Sequence, residues 1–180
     1  MENLHIIVDS REHRPFDFSG EGYSGVTVST GSLTVGDYSI RGLQDVVAVE
    51  RKSMDDLAHC LGTERSRFLR QLQRGRSLEA YCVVVEASWV DLASGNYSAR
   101  GLHPHAACQS VAAFMARLGV PFLFAGSRKA AEYCTWSFLY QYAQGIRRRL
   151  RAVELAMDAL QPPKDVPKSR VLRMAASTGM

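Results

Sequence analysis

The sequence predicts an α/β fold: a mixed central sheet flanked by helices, with a long C-terminal helical segment. Three observations predict it. Short β-branched apolar runs end abruptly in charged residues, stretches of three-and-four apolar spacing alternate with them, and no repeat or low-complexity tract interrupts the pattern. The chain has 180 residues, 46% hydrophobic and 22% charged. That is room for one core, and it excludes disordered, collagen-like and disulfide-scaffold classes.

Residues 4–8 read as a buried strand that empties into Asp9-Ser10-Arg11-Glu12-His13. Residues 14–25 form a loop, and 26–29 alternate as a second strand. A hairpin is expected over residues 37–51, going up at 38–40 and returning at 46–49, with Glu50-Arg51-Lys52 at its end. Ser53 is placed to cap a helix running to about Leu61, whose first turn holds Asp55 and Asp56, as a helix N-terminus favours. Residues 65–76 make a second helix, with Phe68, Leu69 and Leu72 inward and Arg67, Arg70 and Arg74 on one cationic face.

Residues 81–85 are continuously apolar, so this strand is central, and it stops at Glu86. After a Gly/Ser/Asn-rich loop, Pro104 suits the first turn of a helix that ends at Gly119. Residues 120–124 form another buried strand. From about 128 to 160 the positions Thr135, Leu139, Tyr142, Ile146, Leu150, Val153, Met157 and Leu160 step by three and four, with a kink expected at Gly145.

Charge is unevenly distributed. Residues 1–127 carry 12 basic and 14 acidic side chains, whereas 128–180 carry 10 and 4, so the net +4 comes from the last third. Arg147, Arg148, Arg149 and Arg151 are therefore candidate nucleic-acid contacts, although a solvated helix face accounts for the same cluster. Cys60, Cys82, Cys108 and Cys134 form no C-x-x-C pair and read as reduced and structural. No leader-like segment and no membrane-length apolar run is evident, so a soluble, intracellular protein is expected, neither secreted nor membrane-bound.

Chemistry concentrates at the hairpin. Side chains alternate along a strand, so Glu50 and Lys52 share one face and Arg51 takes the other. Pairing brings Asp37 beside them, giving the D…E-x-K arrangement of metal-dependent nucleases. Hard oxygen ligands hold Mg²⁺ while leaving positions for water and a phosphate oxygen, and a lysine orients that water or neutralises the phosphate. An E-x-K triplet alone also describes a solvated ion pair worth little. What distinguishes the two is whether the acidic strand ends converge.

Val8-Asp9-Ser10-Arg11-Glu12, Gly36-Asp37, and Glu50-Arg51-Lys52-Ser53 running into Asp56-Leu57 follow in an order that resembles the nuclease domain of XPF-type structure-selective endonucleases. The resemblance continues through Arg67 and Gln71, Val83-Val84-Val85-Glu86, and Gly119-Val120-Pro121. It covers roughly residues 5–145 and implies a restriction-endonuclease-like core of the PD-(D/E)xK kind. The domain is expected to span residues 1–160, with Gln161-Pro162-Pro163 ending the helix and 161–180 forming a flexible basic tail. The resemblance also implies a Mg²⁺- or Mn²⁺-dependent endonuclease acting on branched DNA such as flaps, forks or bubbles, in repair or recombination. The corresponding location is the cytoplasm or nucleoid in a bacterium or phage, and the nucleus in a eukaryote.

By position, the resemblance makes Asp37 and Glu50 the principal metal ligands, Asp9 and Glu12 further carboxylates near the metal, and Lys52 the catalytic lysine. Arg51 and Asp56 are supporting, with Arg51 expected to fix the local structure or to hold Asp9 or Asp56. Arg67 and Gln71 face the site or a phosphate. Family members usually continue into a tandem helix-hairpin-helix domain, which this sequence does not contain. Duplex grip is then expected from residues 147–151, the tail, a partner or a second copy paired through the C-terminal helices. The alternative is a DNA-binding scaffold or partner-recruiting subunit with a weak or relic nuclease site.

Overall fold

A computed structural model describes residues 3–160. The chain divides into two compact units, Met1–Ala143 and Gln144–Met180. The first holds a six-stranded sheet: β1 (Leu4–Asp9), β2 (Val26–Gly31), β3 (Tyr38–Ile40), β4 (Val47–Lys52), β5 (Ala80–Val85) and β6 (Phe122–Phe124), in the order β2-β1-β3-β4-β5-β6. β3 is antiparallel to both β1 and β4, while β1–β2, β4–β5 and β5–β6 are parallel. The continuously apolar β5 is indeed interior, flanked by strands on both edges. The expected hairpin forms, with Tyr38 opposite Val49.

On one face lie α1 (Met54–Leu61), α2 (Arg65–Arg76), α3 (Trp89–Ser94) and α4 (Pro104–Leu118). Leu57, Phe68, Leu72, Leu92 and Val111 pack there against Ala48, Val83 and Val85. Burying Phe68 and Leu72 stabilises the α2 contact by roughly 1.5–3 kcal/mol each. Ser53 caps α1 as expected, its hydroxyl accepting from the Asp56 N–H at 3.2 Å. Such a cap contributes about 1 kcal/mol.

The other face is covered by the first half of α5 (Arg128–Ala159) and by the loop after β1. Ala131 and Leu139 meet Ile6, Val8, Tyr38 and Val84, and Phe16 and Phe18 fold in from the loop. The four cysteines are free thiols. Among the described residues, no helix is long and apolar enough to cross a membrane.

One expectation is corrected. The segment read as loop after Glu86 contains α3, whose start is a capping box of Ser88 and Asp91 and whose stop is Gly95. Six residues carry too little periodicity to be seen without those caps. α5 is a single helix through Gly145, because one glycine weakens a 32-residue helix without breaking its hydrogen-bond ladder. Beyond that point Leu150, Val153, Met157 and Leu160 are exposed. The proposed tail, 161–180, lies outside the described residues.

Candidate active site

The end of β4 builds the site. Its alternation points Glu50 and Lys52 into a cleft of about 520 Å³, with Asp37, Asp9, Asp56, Arg67, Gln71 and Arg74 also on the wall. Asp37 reaches them because the residue before it is glycine. Gly36 has φ +77°, and a Cβ there would sit 2.9 Å from Ala48 Cβ and 3.0 Å from the Val49 carbonyl oxygen. This close approach lets the Asp37 N–H donate to the Val49 carbonyl at 2.8 Å. The Asp37 carbonyl accepts from the Asp9 N–H, also at 2.8 Å, and its Oδ2 accepts from the Arg51 N–H at 2.7 Å.

Two carboxylates and an ammonium thus share one desolvated end of the sheet. Lys52 Nζ pairs with Glu50 Oε1. Burial pulls the Lys52 pKa down, but the Glu50 carboxylate outweighs it and keeps the ammonium charged. Burial, and then the Glu50 charge, raise Asp37 well above the usual carboxylate range. Glu50 is 1% exposed, and its Oε2 has no hydrogen-bond partner among the described residues. An unpartnered buried carboxylate oxygen and a second carboxylate pushed toward neutrality are what a missing positive charge would relieve.

The residues expected at the site differ in their partners. Asp9 lines the cleft, but its carboxylate accepts from the Arg11 N–H, Nε and Nη2 and from the Leu33 N–H, all within 2.9 Å. The Arg11 guanidinium holds it down to about 2. Glu12 is absent from the cleft wall and accepts from Arg51 Nη1 at 3.3 Å and from the Arg14 N–H at 2.7 Å. Of the two roles expected of Arg51, holding Asp9 or Asp56 is not seen; it pairs with Glu86 at 2.7 Å and with Glu12, which fixes the local structure. The reason is alternation: Arg51 faces the α5 side, over the Phe16 ring. Asp56 is engaged by the Ser53 hydroxyl at 2.7 Å.

Arg67 pairs with Glu64 at 3.1 Å on the exposed surface. Together with Gln71 and Arg74 it makes one side of the cleft cationic. The cationic helix face was legible from its spacing. Arg11, from the Val8–Glu12 segment that carries the resemblance, also lines the cleft, as does His59, whose local sequence gave no signal. Arg147, Arg148, Arg149 and Arg151 belong to the second unit, where Arg148, Arg149 and Arg151 are exposed.

No group of three or more His, Cys, Asp or Glu side chains among the described residues forms a complete metal cage. Asp37 and Glu50 fit the smaller requirement of a Mg²⁺-type ion, which takes one or two carboxylates and completes its shell with water and phosphate oxygens.

A mixed sheet with helices on both faces, and an acid-lysine pair at the end of a central strand, define a restriction-endonuclease-like core. Within that class the chain belongs to the ERCC4 domain family, which it matches over residues 8–135. Among solved structures it is similar to XPF from Aeropyrum pernix, with 22% identity and a TM-score of 0.60 over 98% of this chain and 82% of that one. It is similar also to XPF from Aeropyrum pernix in complex with DNA, with 23% identity and a TM-score of 0.61 over 79% of this chain and 66% of that one. No curated protein matches the sequence.

Proposed function

We propose that this chain is a Mg²⁺-dependent endodeoxyribonuclease, also served by Mn²⁺, that hydrolyses phosphodiester bonds at branched DNA such as flaps, forks or bubbles, in repair or recombination. The observation that carries the reading is the approach of Asp37 and Glu50 beside Lys52, with Glu50 Oε2 buried and unpartnered. Asp37 and Glu50 would hold the ion, with Asp9 outside the ligand set because its oxygens are engaged. A divalent ion supplies there a more acidic bound water and compensation for charge developing on the phosphorus oxygens. Lys52, whose protonated form the Glu50 carboxylate favours, acts as a donor and a positive charge toward the scissile phosphate. Arg67, Gln71 and Arg74 flank the phosphate backbone entering the cleft. The solved DNA complex of a similar fold supports DNA as the substrate.

The test incubates the protein with flap, fork, bubble and linear duplexes, with and without Mg²⁺ or Mn²⁺. Metal-dependent cutting of branched substrates is expected; no cutting of any substrate would remove the reading. A second reading has its own observation: Leu150, Val153, Met157 and Leu160 form an exposed seam of three-and-four spacing. That seam suits pairing with a second copy or a related partner, in which case the chain serves as a DNA-binding scaffold. Sedimentation of the wild type and Leu150→Glu/Met157→Glu distinguishes monomer from dimer. DNA binding without cutting, unaffected by Asp37→Asn, would favour the scaffold.

A further inference from the structure

On the sheet face that carries the candidate ligand Glu50, diagonal to it in the β4–β5 register, lies a second unpartnered group. Tyr81 stands opposite Ala48 in the β4–β5 register, on the face that carries Glu50 and Lys52. It is 6% exposed, and its hydroxyl oxygen, like Glu50 Oε2, is buried without a hydrogen-bond partner among the described residues. The two are chemically complementary. Burial, then the Glu50 and Asp37 charges, keep the phenol protonated and therefore a donor. A carboxylate oxygen is only an acceptor.

The ring cannot drift away from this position. A Cβ on Gly75 would lie 2.3–2.5 Å from three Tyr81 ring carbons, so α2 rests directly on the ring and only glycine fits above it. Gly75 also seats the helix that carries Arg67, Gln71 and Arg74.

We propose that Tyr81 is a positioning residue for Glu50: its hydroxyl donates to one buried water that donates in turn to Glu50 Oε2, fixing the rotation of the carboxylate. Lys52 holds the other oxygen. A single water spans a separation too long for a direct bond and needs only two or three such partners. The inference rests on the metal reading of Glu50, because hydrogen bonds behind a ligating carboxylate govern how tightly it holds an ion.

Two measurements on the full chain test it. Tyr81→Phe removes only the hydroxyl, and Mn²⁺ titration followed by electron paramagnetic resonance should show a Kd raised about tenfold. A merely structural tyrosine would leave that Kd unchanged, and an unchanged value against a binding wild type overturns the proposal. The second measurement needs no metal. In Glu50→Gln, Lys52 selects the carbonyl oxygen, so the amide nitrogen takes the place of Oε2 and the acceptor is lost. Melting temperatures of Tyr81→Phe, Glu50→Gln and the double variant should then be non-additive, and additivity overturns the link. If the wild type binds no Mn²⁺, the metal reading fails while the metal-free cycle still decides whether Tyr81 and Glu50 are coupled.

Discussion

The two faces of the last turn of β4 handle charge in opposite ways. On the cleft face, Asp37 and Glu50 share the wall with Lys52, which pairs with Glu50, and one Glu50 oxygen goes unsatisfied. On the α5 face, Arg51 is enclosed by Glu86 and Glu12, and Arg128 adds a second guanidinium at 2.5 Å from Glu86. One strand thus carries an electrostatic deficit and a closed network only one residue apart. The deficit is where the proposed ion would contribute; the closed network ties together the segments after β1 and β5, the end of β4 and the start of α5.

The comparison breaks most visibly at Asp37. Asp37→Asn removes a carboxylate that its neighbours already push toward neutrality, while the amide oxygen still accepts from the Arg51 N–H. Metal-dependent cleavage should fall on the order of 10²–10³-fold, with the melting temperature unchanged or raised, as gel assays and calorimetry would show. Lys52→Ala should abolish cutting as well, but it leaves Glu50 buried and unpaired and so lowers stability.

On the opposite face the signs reverse. Glu86→Ala leaves Arg51 buried with only Glu12 and should cost about 3 kcal/mol in urea unfolding. The same group gives a pH test. Arg51 and Arg128 overcome burial and hold Glu86 below its ordinary value of 4.5. A depressed folded pKa contributes stability that is present above the unfolded value and lost as pH falls through the folded one. The melting-temperature gap between the wild type and Glu86→Gln should be full above the ordinary value of 4.5 and narrow as pH falls below it.

Gly36→Ala sits between the two faces. Its positive φ and its 2.9 Å approach to Ala48 Cβ predict a loss of about 2 kcal/mol, together with reduced cleavage as Asp37 withdraws. The smallest effect is expected at the rim. Arg74→Ala should leave stability unchanged, weaken DNA binding, and lower the slope of log affinity against log salt by about 0.9.

Much of this was legible in the sequence because it is local. The hairpin, the Ser53 cap, the α2 periodicity and the same-side placement of Glu50 and Lys52 all follow from spacing and short-range hydrogen bonds. α3 was not legible, since its six residues are defined by a capping box more than by periodicity. The partner of Arg51 was not legible either: Glu86 lies 35 residues away and meets it only because β4 and β5 are adjacent.

The sequence by itself determined which strand end carries the acid-lysine pair, because a period of two is fixed by backbone geometry. Tertiary structure decided which other acids join it. Asp9 is spent on Arg11 and the Leu33 N–H, Glu12 and Glu86 are drawn to Arg51, and Asp37 alone is delivered beside Glu50 by the close approach at Gly36. Carboxylates are alike in sequence. Only packing sets which are neutralised by protein cations and which one is left with an oxygen to spare.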